Sequence, residues 1–268
     1  MRTAVVTVVH GRHDHLRGQL AGLAAQTRRA DRHVVVAMGD DGIRSVVGDA
    51  ADVVDLPAGD RLPLAAARNA GAAAALAGGA ELLVFLDVDC VPAPALVERY
   101  AAVAQDGVLD SGPVSYLPPP PAGGYDLTDP ARLAELADPH PARPVPADGE
   151  VLDSTDHRLF WSLSFAVTAP TWAALGGFHE GYAGYGGEDT DFAETAHAAG
   201  VGLRWVGGAA AFHQHHPVSR PPVEHLDDVL ANGRVFADRW GWWPMQGWLD
   251  AFAERGLVRR TDEGWVHA

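Results

Sequence analysis

Three groups of residues in this chain have side chains and spacing suited to chemistry. GYGGEDTDF, residues 184–192, runs three glycines into Glu188 and Asp189, with Asp191 two positions on. Asp87-Val88-Asp89 closes the apolar run ELLVFLDVD, and FHQHHP holds His213, His215 and His216. Clustered carboxylates repel one another unless a cation, a helix terminus or a substrate uses them, and glycine lets a backbone approach a ligand closely. A hard divalent cation, Mg²⁺ or Mn²⁺, would relieve the Asp87–Asp89 repulsion and bridge to the phosphates of a nucleoside diphosphate. The same pair also suits two solvated turn acids. Glu188, Asp189 and Asp191 are equally favourable in the first turn of a helix, through capping and the macrodipole, although capping does not require a preceding Gly-Tyr-Gly-Gly. His213 and His215, two apart on a strand, would share a face, so periodicity does not choose between them. A calcium loop counted from Asp87 fails, because Pro92 stands where that loop needs glycine.

The elements that must position these groups follow from hydrophobic pattern. AVVTVVH (4–10), HVVVAM (33–38), ADVVDL (51–56) and ELLVFLDVD (81–89) read as strands, the first, second and fourth as buried ones. Helices over 14–27 and 64–77 alternate with them, which predicts an α/β sheet flanked by helices. Ligands on such sheets bind beyond the carboxyl ends of the strands, where His10 to Arg12, Asp40-Asp41 and Asp87 to Asp89 fall. Arg68 and Asn69 interrupt the Ala-rich helix, either as a wet helix face or as contacts to phosphate, to a site carboxylate, or to a base or ribose. A helix is predicted from Pro92 to about 106, then a strand in VLDSGPVSYL. A proline-rich, acidic tract to about 150 reads as a lid or an insertion. Strand character over 158–168, a short helix over 170–175, a helix from GEDTDF to Gly200 and a Trp-rich helical segment over 224–255 complete the reading.

The motifs AARNAG, LVFLDVDCVP, GGFHEGYAGYGGEDTDF and FHQHHP, in that order, resemble those of GT-A-fold glycosyltransferases. More narrowly, they are similar to family 2 enzymes with a galactosyltransferase-like C-terminal part, over roughly residues 3 to 215. The resemblance implies a mixed central sheet and Mn²⁺ or Mg²⁺ as cofactor. It implies Asp89 as a metal ligand, joined by His213, with His215 as the alternative. Asp87 and Val88 would face the donor, with Asp40, or Asp41 as the alternative, at the base and His10 and Arg12 flanking base and phosphate. Arg68 and Asn69 are the remaining donor contacts. Asp189 is implied as general base on an acceptor hydroxyl, with Glu188 on sugar hydroxyls, giving inversion. Trp161, Ser162, Tyr185, Gly186 and Gly187 are placed on the acceptor side. The related motif begins with Trp where this chain has Tyr185, so the sugar does not carry over; UDP is favoured as carrier by resemblance only.

Composition sets the outer bounds. A chain of 268 residues, 47% hydrophobic, can build a sizeable core, and a formal charge of −15 disfavours a nucleic-acid partner. One cysteine, Cys90, makes no internal disulfide, and the N-terminal apolar run is too short for a signal peptide. The expectation is a cytoplasmic protein without a transmembrane span, a peripheral membrane contact staying open. Residues 1–215 are read as the GT-A domain: a nucleotide half (1–110), the proline-rich loop (111–150) and an acceptor half (151–215). Residues 216–268 are read as a helical, Trp-rich extension whose tryptophans would pack a core, the default, form an oligomer surface or line an acceptor groove. Two competitors share the core. A sugar nucleotidyltransferase would carry a Gly-rich, Arg- and Lys-bearing signature where this chain has HGRHDHL, and a non-catalytic sugar-nucleotide-binding module would bind donor without consuming it.

Overall fold

The computed structural model describes residues 1–268. An eight-stranded mixed sheet runs in the order β3 (Asp52–Leu56), β2 (Arg32–Met38), β1 (Thr3–Val9), β4 (Leu82–Leu86), β10 (Ser164–Thr168), β6 (Val108–Ser111), β11 (Gly202–Val206), β9 (Val151–Ser154). Strands β1 to β4 are mutually parallel, and β10 lies antiparallel to β4. A smaller sheet, β5 (Cys90–Pro92), β12 (Ala211–His213), β7 (Val114–Tyr116), β8 (Asp138–Pro139), stands beside it. The hairpin β13 (Val258–Thr261) and β14 (Gly264–His267) closes the chain.

Successive strand residues serve opposite faces, and the core divides accordingly. Val6, Val8, Val34, Val36 and Phe85 meet α3 (Leu64–Ala77), α6 (Ala169–Leu175) and α7 (Glu188–Ala198) on one side. Val5, Leu82, Val84 and Leu86 face α4 (Leu96–Val103) on the other, where α1 (His13–Ala24) and α2 (Ile43–Val47) also lie. Phe85 stacks on its cross-strand partner Phe165 with ring centres 4.6 Å apart, fixing the β4–β10 register. Ala-rich α3 comes close enough to the sheet that a Cβ at Gly71 would press on Val6 and Val36.

Several expectations need correction. The strand predicted through Asp89 ends at Leu86: one more bond to the β10 side, Asp87 N–H to Leu163 O (2.9 Å), is followed by a turn that Cys90 N–H closes on Asp87 O (2.9 Å). Strand character over 158–168 survives only in β10; residues 157–159 form a 3₁₀ turn. The proline-rich tract contains α5 (Pro130–Leu136), N-capped by Asp129, as well as β8. The C-terminal segment is two helices, α8 (Leu226–Trp240) and α9 (Gln246–Glu254), broken at left-handed Gly241 and followed by the hairpin. Core packing describes Trp243 and Trp248 but not Trp242, which is 38% exposed.

The two sheets join tightly at Gly112. A Cβ there would meet the Ala209 carbonyl and the Tyr100 hydroxyl, which accepts the Gly112 N–H at 2.6 Å. Gly112→Ala is therefore expected to lower stability by about 1–3 kcal/mol in urea unfolding; an unchanged midpoint would mean the junction yields without strain.

Candidate active site

The site starts from one buried cation. Arg68, on α3 and 4% exposed, donates to Glu188 Oε1 (3.0 Å) and Asp87 Oδ1 (3.2 Å), joining the end of β4 to the start of α7. Burial works against its charge, but Asp87, Glu188 and Asp189 outweigh that and raise its pKa. Asp87 is pushed up to about 6, by burial first, with Arg68 pulling it back and Asp89 pushing it further. Buried Gln19 of α1 fixes the backbone there, donating to Asp87 O (2.7 Å) and accepting from the Thr7 hydroxyl.

Asp89 is brought to the histidines by strand pairing. His213 is the register partner of Cys90, and the Gln214 N–H donates to Asp89 O (2.7 Å). Asp89 Oδ2 lies 3.4 Å from His213 Nε2 and 3.6 Å from His216 Nε2, so one carboxylate and two imidazole nitrogens converge. His215, the sequence alternative, is not in this group: its N–H donates to the Tyr125 hydroxyl and its carbonyl faces His15. The same-face argument from strand periodicity fails because β12 ends at His213, and the chain then turns His216 back. Burial, with Arg12 nearby, lowers the His216 pKa and keeps its ring neutral, as a metal ligand must be. The O,N,N donor set fits a divalent cation such as Mn²⁺ better than Mg²⁺, which prefers oxygen alone.

Asp189 is part-exposed at the first turn of α7 and accepts from Thr190 N–H (2.8 Å). Burial raises its pKa to about 7, helped by the Glu188 charge and opposed by Arg68. Glu188 is deeper, and its Oε2 is buried without a partner. Asp191, the third acid of the run, serves structure: it accepts from Arg239 Nε (2.7 Å), Trp240 Nε1 (2.7 Å) and the Tyr182 hydroxyl (3.1 Å), tying α7 to α8. The glycine-rich loop is gripped from the same side. Gly184, Gly186 and Gly187 all have positive φ, and Asp228 and Asn232 of α8 bond its backbone at Tyr185 and Ala183. A Cβ at Gly186 would meet Met245, so the C-terminal helices press on these glycines.

The other predicted residues are distributed unevenly. Asp40 accepts from Gly11 N–H (2.8 Å) and Gly42 N–H (3.0 Å) and pairs with His13 Nε2 (2.9 Å), which lowers its pKa. His10 lies against Met38 O, and Arg12 is exposed in a left-handed conformation at the head of α1. Val88 is half-buried. Asn69 does not join Arg68: its amide clasps the Phe178 backbone (2.9 and 2.8 Å) and Glu180, a structural task in place of the expected base or ribose contact. Trp161 is half-buried, Ser162 is buried, and Tyr185 is exposed, stacked on His225 (4.3 Å) and Trp248 (5.5 Å). Gln19 and the α8 braces carried no motif by which sequence reading could have found them.

A large mixed sheet with this crossover, and a strand-end acid pair facing a glycine-rich helix start, is the GT-A glycosyltransferase fold. A family model described as the N-terminal domain of galactosyltransferase matches residues 156–220, the span that carries Trp161, Glu188, Asp189, His213 and His216. Among solved structures, GalNAc-T7 with UDP, GalNAc and Mn²⁺ superposes with TM-score 0.56 at 17% identity, over 81% of this chain and 44% of that one. S. aureus TarS 1–349 in complex with UDP-GlcNAc gives TM-score 0.61 at 13% identity, over 95% and 71%. The chain thus spans less than half of the GalNAc-T7 chain. No curated protein sequence matches it. No helix is long and apolar enough to cross a membrane.

Two outcomes follow from this geometry. Arg68→Met leaves Asp87 and Glu188 buried without their cation and should cost about 3–5 kcal/mol in urea unfolding. Replacement of His213 or His216 by Ala should weaken Mn²⁺ binding by calorimetry at least tenfold, whereas His215→Ala should not; equal loss at His215 would refute the assigned cluster.

Proposed function

We propose that this protein is a glycosyltransferase, family 2-like with galactosyltransferase-like chemistry. It moves a sugar from a nucleoside-diphosphate donor, UDP favoured, to an acceptor hydroxyl with inversion. The observation that supports this reading is the Arg68 bridge, which joins the Asp87–Asp89 strand end to the Glu188–Asp189 helix start. Asp89, His213 and His216 would hold the divalent cation, which supplies charge neutralisation to the departing diphosphate. Arg12 lies on that side and adds positive charge.

The remaining work falls to this chain's own side chains. An inverting transfer needs one carboxylate that takes the proton of the attacking hydroxyl from the face opposite the leaving group. Asp189 fits that role: it is part-exposed, and its pKa near 7 makes it a proton acceptor matched to neutral pH. Glu188, with one oxygen held by Arg68 and the other free, is placed to accept from a sugar hydroxyl. Arg68 orients Glu188 through the 3.0 Å bond to its Oε1. Tyr185, exposed and stacked on His225 and Trp248, is assigned to the acceptor side.

Asp189→Asn is expected to reduce transfer, and the slow donor hydrolysis that reports it without an acceptor, by at least about a thousandfold while nucleotide affinity stays within twofold. Equal loss of both would indicate structural damage, and wild-type protein that binds nucleotide without consuming donor would favour the binding-module reading. The wild-type rate should rise with pH through about 7, as Asp189 loses its proton. Stability runs the other way. The folded-state pKa lies above the ordinary 3.8, so Asp189 favours the fold when protonated, and that contribution is lost as pH rises from the ordinary carboxyl range through about 7. In EDTA, Asp189→Asn should therefore gain thermal stability over wild type as pH goes from 5 to 8; a pH-independent gap would mean that Asp189 ionises normally.

A further inference from the structure

Arg143 is 7% exposed and, alone among the buried charged side chains, has no polar atom hydrogen-bonded: Nε, Nη1 and Nη2 all lack partners. It comes from the proline-rich tract and lies between two indoles, 5.1 Å from the ring centre of Trp161 and 4.8 Å from that of Trp205. Cation–π contact offsets part of the cost of burying a guanidinium, but it leaves five N–H donors unmade. Burial holds the Arg143 pKa below its usual value, and no carboxylate forms an ion pair with it. Trp205 Nε1 beneath it, and the hydroxyl of Ser111 on the paired register position, are also buried without partners.

Its position links it to the cleft. A row of rings leads from the candidate cation cluster to this residue: His213 to Tyr116 (4.9 Å), Tyr116 to His140 (6.3 Å), His140 to Trp161 (4.6 Å). The Asp189 charge acts on Arg143 from the same region. Of the two covering indoles, Trp205 is fully buried and part of the core, whereas Trp161 is half-buried and lies outside the strands. Trp161 is thus the more exposed of the two covering rings.

We propose that Arg143 receives an oxyanion, a carboxylate or phosphate carried by the substrate on the Trp161 side of the cleft, making the protein selective for an acidic sugar or an acidic acceptor. A guanidinium fork binds either group in two parallel hydrogen bonds, which is what these unmade donors lack. The diphosphate of a donor is not this group, since the cation proposed at Asp89, His213 and His216 takes it. The proposal rests on the glycosyltransferase reading.

The test is calorimetry with Mn²⁺ present, using two pairs of probes: UDP-glucose against UDP-glucuronic acid for the donor, and glycerol against glycerol 3-phosphate on the UDP-loaded protein for the acceptor. In one of the pairs the anionic member should bind about tenfold tighter or more, and tryptophan emission should change with that member only. In Arg143→Met, whose thioether fills the slot between the indoles, the preference should fall to within twofold while UDP affinity is unchanged. The wild-type comparison needs no variant, so a misfolded variant does not rescue the idea. UDP binding with no anion preference in either pair, or a preference that survives Arg143→Met, overturns the oxyanion site alone. Failure of UDP, GDP, dTDP and CDP alike to bind removes the glycosyltransferase reading and this proposal with it.

Discussion

The guanidinium of Arg68, buried between Asp87 and Glu188, is the contact on which the site depends. Two carboxylates from distant parts of the chain share one buried cation, and the cation is tolerable there because both are beside it. This mutual dependence explains why an Arg sits in a helix otherwise built of alanine: small residues bring α3 close to the sheet, and the long side chain then reaches across the strand ends. Asp189, next to Glu188 but without its own ion pair, is left with a raised proton affinity.

A second constraint is the junction of the two sheets. The chain leaves β4, turns through Asp87 to Asp89 and enters the smaller sheet as β5; β12 returns along it and delivers His213 opposite Cys90. The O,N,N group is thus a product of strand register, completed by the turn that brings His216 back. On the other flank, α8 grips the glycine-rich loop through Asp228, Asn232 and the Arg239–Asp191 pair. Residues outside the recognised motifs hold the motif loop in shape.

Much of this was legible in the amino-acid order. The continuous β-branched and leucine-rich runs gave β1, β2 and β4 because buried parallel strands need no alternation, and Gly78 marked the end of α3. Asp87, Asp89, Arg68, Glu188 and His213 converge in the structure, and all were singled out from motif order. What could not be read depended on contacts between distant segments. His216 lies near Asp89 only because β12 stops where it does, and Asn69 faces the Phe178 loop because a one-residue step on a helix turns a side chain by about 100°. The C-terminal hairpin carries little hydrophobic pattern. Asp191 looked like another first-turn acid, and its partners are nearly fifty residues further on.

The most direct measurement is thermal unfolding of the protein with UDP, GDP, dTDP or CDP, each in Mn²⁺, Mg²⁺ or EDTA. A nucleotide at a hundred times its dissociation constant should add about 2.7 kcal/mol of stability. The account predicts stabilisation by one of these nucleotides, largest with Mn²⁺ and abolished by EDTA. Folded protein that responds to none of them, or equally with and without metal, would contradict a cation-assisted nucleotide-sugar site at Asp87, Asp89, His213 and His216.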